Sequence, residues 1–363
     1  SLLRELEFMT LAKAFQGDTP EQNRLGAEVE RIHDDAAAET FLQRRQPDAM
    51  LGFACVLSGE VGVRADIQGC ALGWSDGAAA FVQGDARSWP RPLTAYLGDG
   101  SRPKAVQDLK PALLALHRQG IEMPGPYFDT MVADYLLNPN RRAHSLEAIA
   151  MDLLSYQLGA GANEESGKGP QSLFDVDESL VRGTGEAAAV TAKMAPMLRE
   201  RLNEQGSLSL FQDVEMPLVP VLAEIERNGF LLDVEGLRGL SKELERELEQ
   251  MVGTIYRLGG GEFNIGSPKQ LATVLFETLG LTPLRKTKTG FSTDEDTLTQ
   301  LASQHELPAQ ILSYRTLTKL KSTYVDALPQ LVNPDTKRLH TSLNQTVAAT
   351  GRLSSTDPNL QNI

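Results

Sequence analysis

The chain has 363 residues, of which 41% are hydrophobic and 23% charged, and its formal net charge is −13. These proportions are typical of globular protein, and the length predicts two or three domains. No apolar run approaches the roughly 20 residues of a membrane helix, no signal peptide opens the chain, and two cysteines are too few for a disulfide framework. Membrane proteins and disulfide-stapled secreted domains are therefore excluded, and we expect a cytoplasmic protein.

The acidic charge is unevenly distributed along the chain. Residues 255–363 contain 11 Lys/Arg and 9 Asp/Glu, a balance of +2, so residues 1–254 carry −15. Residues 1–254 would be repelled by the phosphates of a nucleic acid, whereas residues 255–363 could bind them. The overall charge therefore does not exclude a nucleic-acid partner.

The first half begins with strand-like segments. "MLGFACVL" (50–57) predicts a buried strand, and "CALGWSD" with "AAAFVQG" predicts a hairpin that turns at Ser75, Asp76 and Gly77. Residues 103–120 predict an amphipathic helix, with Pro111 in its first turn or at a kink. Strands followed by helices with short returns favour an α/β layer architecture.

Further helices are predicted over "YFDTMVADYLL" and over "SLEAIAMDLLSYQL", the second of which is capped by Ser145. A polar, glycine-rich loop follows at 159–172, and a helical run then extends to about Glu204. "EMPLVPVLAEIERNG" predicts a helix that ends at Gly229.

Two long apolar stripes at three- and four-residue spacing predict two more helices. The first follows Asp233, which can cap it, and contains Leu237, Leu240, Leu244, Leu248, Met251, Ile255 and Leu258. The second contains Ile311, Leu312, Leu317, Leu320, Tyr324 and Leu328. We expect these helices to pack antiparallel into an arm, with the segment between them at its tip.

The tip combines lysines with short hydroxyl and amide side chains: Asn264, Ser267, Lys269, Lys286, Thr287, Lys288, Thr289, Ser292 and Thr293. Such donors suit phosphate contacts that position a duplex without reading its sequence. A solvated polar loop is the alternative. Arg315, Lys319 and Ser322 share one predicted helical face, with Lys321 adjacent, which favours a groove that follows a nucleic-acid backbone.

The last stretch, "VAATGRLSSTDPNLQNI" (347–363), is dense in hydrogen-bonding side chains, and its Gly351 and Pro358 exclude a long helix. Together with "EMPLVPVLAEIERNGF", "FNIGSPKQLATVLFETLGL" and "YRTLTKLKSTY", it resembles bacterial family-A DNA polymerases from about Leu210 to Ile363. The resemblance implies a mainly helical thumb with its connecting helix at 206–335 and the start of an α+β palm at 336–363.

By this resemblance the last stretch lies along the minor groove of primer–template DNA, where every base pair presents acceptors at nearly equivalent places. The side chains implied to face the DNA are Arg352, Asn359, Gln361 and Asn362, with Asn344 and Gln345 before them. For Arg352 the alternative is a structural ion pair, for example with Asp357.

The resemblance also implies partners and a cofactor. A family-A polymerase uses Mg²⁺, held by two palm aspartates, and binds primer–template DNA and dNTPs. Those aspartates and the fingers follow in a part of the protein beyond Ile363, so we expect this chain alone to be inactive and to bind no metal. We expect a monomer that acts in replication or repair in the bacterial cytoplasm, at the nucleoid.

The first half resembles the same family through "RELEFMTLAKAF", "YFDTMVADYLLNP" and "EAAAVT". The resemblance implies a lead-in at 1–47 and a ribonuclease H-like 3′–5′ exonuclease domain at 48–205. The four positions at which the family places metal-binding carboxylates carry Val56, Ser58, Ala112 and Ala187, and Gly183 stands where a tyrosine is expected. Because all four carboxylates are lost, the domain is predicted to be inactive.

Two alternatives remain open from the sequence. Glu60, Asp108 and Glu186 lie near the lost positions and could serve a working exonuclease with displaced ligands. The chain could also be a non-catalytic DNA-binding module.

Overall fold

A computed structural model describes residue 25 and the ranges 28–59, 62–159, 177–287 and 290–362. Most of the predicted lead-in and of the glycine-rich loop at 159–172 lies outside the described residues. The chain divides into two compact units. The first comprises the residues up to Asn228 with Ser342–Thr356, and the second comprises Gly229–Thr341 with Asp357–Ile363.

A six-stranded mixed sheet forms the centre of the first unit. Its strands are β1 Val29–Arg31, β2 Leu51–Ser58, β3 Asp66–Gly73, β4 Ala79–Gln83, β5 Lys104–Val106 and β6 Tyr127–Asp129. They lie in the order β1-β4-β3-β2-β5-β6, in which β3 is antiparallel to both β2 and β4, whereas β5 and β6 continue parallel to β2. The predicted buried strand and hairpin are confirmed as β2 and β3–β4.

Eight helices of the first unit surround the described part of this sheet or extend from it: α1 Asp35–Leu42, α2 Arg91–Gly98, α3 Leu109–Arg118, α4 Thr130–Leu137, α5 Leu146–Leu154, α6 Glu178–Glu204, α7 Leu208–Leu210 and α8 Met216–Asn228. Ser145 caps α5 as predicted, because its side chain accepts the Ala148 N–H. Pro111 lies in the first turn of α3, where its missing N–H removes no helical bond.

Two of the predicted helices begin later in the structure than the sequence predicted, at Leu109 and at Thr130. Residues Lys104–Val106 and Tyr127–Asp129 form strands β5 and β6 instead of helix. Each is only three residues long, and pairing between them and with β2 decides their conformation. Helix α3 begins only at Leu109, because Asp108 adopts a left-handed backbone conformation with φ 56°.

Helix α6 lies against β2 and β3 at very short range. A Cβ added at Gly52 would lie 2.8 Å from the Ala188 carbonyl carbon and closer still to its oxygen. A Cβ added at Gly73 would lie 2.5 Å from the same carbon. The two glycines therefore let the backbone of an alanine-rich helix approach the sheet directly, which fixes the position of Ala187 above it.

The second unit contains the predicted arm. Its helices among the described residues are α9 Val234–Gly259, α10 Pro268–Ala272, α11 Glu295–Leu301 and α12 Glu306–Leu320. Ser241 near the start of α9 donates to Asp326 beyond the end of α12 at 2.7 Å. Near the end of α9, Ile255 packs with Leu307 and Ile311 at the start of α12. The two long helices thus run antiparallel, as predicted.

The first apolar stripe is less buried than its pattern predicts. Leu244 and Ile255 are buried, but Leu240 is 39% exposed. Helix α12 ends at Leu320 and continues as a π-helical turn, Lys321–Val325. Such a turn has more residues than an α-helical one, so side chains beyond Leu320 leave the face that a 3.6-residue period assigns to them.

Two short ribbons complete the described chain. At the arm tip, β7 Lys286–Thr287 pairs antiparallel with β8 Gly290–Phe291. In the first unit, β9 Ser342–Asn344 pairs antiparallel with β10 Ser354–Thr356, and we call Ser342–Thr356 the hairpin segment. Among the described helices, none combines the length and apolar character needed to cross a membrane.

Candidate nucleic-acid interface and exonuclease-like site

The arm tip presents two exposed lysines on a locally hydrogen-bonded loop. Lys269 lies in α10 and Lys286 in β7, and both side chains are exposed. The Asn264 Oδ1 accepts the Gly266 N–H at 2.9 Å, and the Ser267 Oγ accepts the Gln270 N–H at 3.4 Å as the cap of α10. Lys288, Thr289 and the side chain of Thr287 lie outside the described residues.

Ser292 and Thr293 are buried instead of solvent-facing, each 6% exposed. The Ser292 Oγ accepts the Asp294 N–H at 3.2 Å, and Arg315 donates to the Thr293 carbonyl at 2.7 Å. Hydrogen bonds from Thr297 lower the pKa of Asp294 to about 2. In this conformation the two residues are part of the packed interior of the tip, and their side chains are not accessible to a ligand.

The predicted cationic face on α12 is reduced to one exposed lysine. Arg315 is partly buried and donates to the Thr293 carbonyl, and burial lowers the pKa of its guanidinium. Lys321 donates to Asp326 at 2.8 Å within the π-helical turn. Lys319 and Ser322 are exposed, but the turn that starts at Lys321 separates them from a common α-helical face.

The hairpin segment exposes Arg352, which forms no ion pair within the described parts of the chain. Asn344 donates to the Thr356 hydroxyl at 3.4 Å, across the strand pair. Gln345 donates to Glu215 through its Nε2, at 2.8 Å to Oε2. The guanidinium of Arg352 is therefore exposed, whereas the side-chain amides of Asn344 and Gln345 in the same segment already form hydrogen bonds within the protein.

The residues after the hairpin segment are also exposed. The Asn359 Oδ1 accepts the Gln361 N–H at 3.0 Å and closes a local turn. Tyr324 donates to the Asn362 carbonyl at 2.9 Å. The side chains of Asn359, Gln361 and Asn362 lie at the surface of the second unit.

None of the four exonuclease-like positions carries a carboxylate. Val56 is 7% exposed and packs in a small apolar cluster with Val181 and Ala188. Ala112 and Ala187 belong to the main core of the first unit. Ser58 donates to the Asp66 carbonyl at 3.4 Å. Three of the four positions therefore carry hydrocarbon side chains, which contribute apolar burial.

Of the acids that could serve as displaced ligands, Glu186 has both carboxylate oxygens hydrogen-bonded. Tyr156 donates to one oxygen of the buried Glu186, and the Gly159 N–H donates to the other at 2.9 Å. Burial, with the nearby charge of Asp129, raises the pKa of Asp108 to about 7. Glu60 lies outside the described residues. Within the described ranges, no group of three His, Cys, Asp or Glu side chains could hold a metal ion.

Comparisons with known proteins agree with this arrangement. A sequence-family profile described as DNA polymerase family A matches residues 234–363, and one described as DNA polymerase I, ribonuclease H-like domain, matches residues 57–169. DNA polymerase I of Bacillus subtilis is 40% identical over 270 residues, which cover 74% of this chain and 30% of that protein. The enzyme of Geobacillus stearothermophilus is 44% identical over 276 residues, covering 74% and 31%.

The chain belongs to DNA polymerase family A. It is also similar to a solved structure described as the POL domain of Pol1 from M. smegmatis in complex with DNA primer-template and dNTP. That similarity has a TM-score of 0.77 and 32% identity, and it covers 92% of this chain and 56% of the other. The chain spans about a third of the length of the curated polymerases that it matches.

The family assignment confirms the predicted fold class: a ribonuclease H-like α/β domain followed by a largely helical polymerase segment. Sequence reasoning missed one group of polar residues in this family-A chain. Lys110 and Glu226 form a buried ion pair that also binds the backbone of Leu343. The available signal was the position of Glu226, which falls on the apolar face of α8 with Leu222 and Ala223.

Proposed function

We propose that the chain is the exonuclease-like, thumb and first palm part of a DNA-directed DNA polymerase, that it grips primer–template DNA, and that it has no 3′–5′ nuclease activity. The observation that carries the polymerase assignment is the similarity over 92% of the chain to a polymerase described in complex with primer-template and dNTP. The polymerase reaction is template-directed nucleotidyl transfer.

The thumb grip rests on the arm and its exposed lysines. Lys269 and Lys286 at the tip and Lys319 on α12 are exposed cations in the part of the chain with a positive balance. Lysines placed in this way attract phosphate without reading sequence. Arg352, on the hairpin segment, is suited to acceptors in the minor groove, which differ little between base pairs.

The absence of nuclease activity rests on side-chain chemistry. Two-metal hydrolysis needs a cluster of carboxylates, and the corresponding positions carry Val56, Ser58, Ala112 and Ala187. These residues do not fit a pair of Mg²⁺ ions. We propose that the Mg²⁺ used for polymerisation is bound by other segments of the protein, together with the dNTP, and that the protein works as a monomer at the bacterial nucleoid.

Two assays on labelled DNA test the proposal. In the first, a primer–template is incubated with all four dNTPs and Mg²⁺, and the polymerase that contains this chain should lengthen the primer. In the second, the protein is dialysed against EDTA and then titrated with Mg²⁺ or Mn²⁺ on single-stranded DNA without dNTPs, and the DNA should keep its length.

The variants Asp108→Asn and Glu186→Gln serve as matched controls in the second assay. Metal-dependent shortening that either variant reduces would contradict the nuclease part of the proposal and favour displaced ligands. A primer left unchanged by the complete protein in the first assay would contradict the polymerase part.

A further inference from the structure

The outer edge of the hairpin segment is bound by two side chains of the first unit, one from the exonuclease-like domain and one from α8. Within the hairpin, Ser342 is opposite Thr356 and Asn344 is opposite Ser354. Leu343, between them, donates its N–H to Glu226 Oε1 at 2.5 Å and accepts from Lys110 Nζ at 2.7 Å. Two side chains thus satisfy the backbone groups that a further strand would otherwise pair.

The two side chains also bind each other. Lys110 Nζ and Glu226 Oε1 form an ion pair whose side chains are 14% and 2% exposed. Lys110 comes from the first turn of α3 and Glu226 from the last turns of α8, and these helices pack together. A one-residue slip of β9 would turn the Leu343 N–H and carbonyl away from both side chains, so these contacts favour the observed register.

Two more contacts tie the same segment to other parts of the first unit. Gln345 donates to Glu215, which lies just before α8. Tyr135 of α4 donates to the Ala348 carbonyl at 2.7 Å. Arg352, by contrast, is exposed, and its position follows from the ribbon that carries it.

Resting on the proposed function, we infer that Lys110 and Glu226 are positioning residues for primer–template binding. They hold β9, and through the hairpin segment they hold Arg352, at the register in which the polymerase meets DNA. Through Lys110, an exonuclease-like domain that lacks these carboxylates thereby contributes to DNA binding as a platform, together with α8. The inference predicts that breaking the pair weakens DNA binding although neither residue touches DNA.

The experiment uses the complete polymerase and compares Lys110→Met with Lys104→Met. Lys104 is a matched control, because it is buried in the adjacent strand β5 and donates to three carbonyls of the same domain, those of Asp99, Arg102 and Pro124. We expect Lys110→Met to weaken the affinity for a fluorescein-labelled primer–template about tenfold and to raise KM with kcat nearly unchanged. Lys104→Met should lower Tm and leave the affinity within about twofold.

Glu226 gives a second series of variants. Glu226→Gln keeps an acceptor for the Leu343 N–H, so it should retain more affinity than Glu226→Ala. Lys110→Met leaves the buried Glu226 carboxylate without its partner. The double variant Lys110→Met/Glu226→Gln removes that charge as well, so measuring both variants separates the effect of the unpaired charge from the loss of the pair. Hydrogen exchange of the peptide over 342–356 should be faster in Lys110→Met and Glu226→Ala and unchanged in Lys104→Met.

A double-mutant cycle with Arg352→Ala decides whether the pair acts through Arg352. In the Arg352→Ala background, Lys110→Met should cost less than about twofold in affinity. Equal losses for Lys110→Met and Lys104→Met, or full additivity with Arg352→Ala, would overturn the inference while leaving the proposed function intact. A wild-type polymerase that neither binds nor extends primer–template would overturn the proposed function itself.

Discussion

The close approach of α6 to the sheet predicts that Gly52→Ala strongly destabilises the exonuclease-like domain. The added Cβ would lie 2.8 Å from the Ala188 carbonyl carbon and 3.1 Å from the Ala192 Cβ. Both neighbours belong to α6, and one is backbone, so no side chain can rotate to relieve the clash. Overpacking costs about 1–3 kcal/mol, and we expect the upper end, about 3 kcal/mol. For a domain of this size that corresponds to a Tm lower by about 6–12 °C.

Tryptophan fluorescence gives an assay confined to this domain. The chain has two tryptophans, Trp74 and Trp89, and both are buried in the core of the first unit. Their thermal transition therefore reports on the exonuclease-like domain and not on the arm.

The control is Gly239→Ala, in the exposed part of α9, where an added Cβ meets no atom within 4 Å. It should stabilise the arm by about 0.5–1 kcal/mol and leave the tryptophan transition unchanged. A Gly52→Ala transition within about 2 °C of wild type would refute the argument that the backbone contact cannot relax.

Three further predictions concern binding and pH. Arg352→Ala should raise KM for primer–template more than about tenfold, whereas loss of one phosphate contact costs less; steady-state extension assays measure it. Lys286→Ala should weaken DNA binding modestly and reduce the slope of log K against log salt by about 1, and an unchanged slope would count against a phosphate contact at the tip. Burial raises the pKa of Asp108 to about 7, because the folded state favours the protonated carboxyl. The stability that this preference contributes is complete below the pKa of the unfolded state and is lost as the pH rises through 7. Asp108→Asn, which suits the left-handed φ of 56°, should therefore be more stable than wild type at pH 8 by on the order of 2 kcal/mol and similar to it at pH 4, as urea titrations at both pH values would measure.

Local signals in the sequence predicted the elements that local physics decides. The alternation around Ser75–Gly77 predicted the β3–β4 hairpin, and Ser145 and Asp233 predicted helix starts because each can accept an N–H of the first turn. The strands β5 and β6 escaped prediction. Each has three residues, and what keeps them extended is pairing with strands that are distant in the sequence.

The candidate site shows the same division between local and tertiary effects. Polarity alone predicted Ser292 and Thr293 to be exposed at the tip, but both are buried. The Ser292 hydroxyl accepts the Asp294 N–H, and the Thr293 carbonyl accepts from Arg315. Lys321 was predicted to lie adjacent to the face shared by Arg315, Lys319 and Ser322, but it lies in a π-helical turn and donates to Asp326. Neither change has a signal in the composition of the segment.

On the proposed function, the absence of carboxylates at the four exonuclease-like positions is physically connected with the anchoring of the hairpin segment by Lys110 of the same domain. An active two-metal site requires like charges held close together, which destabilises a fold unless metal is bound. Val56, Ala112 and Ala187 carry no such charge and add apolar burial in the core that supports α3 and α6. Helix α3 carries Lys110, which binds the hairpin segment with Glu226. We therefore propose that this domain and α8 hold the hairpin segment in one register without a need for bound metal.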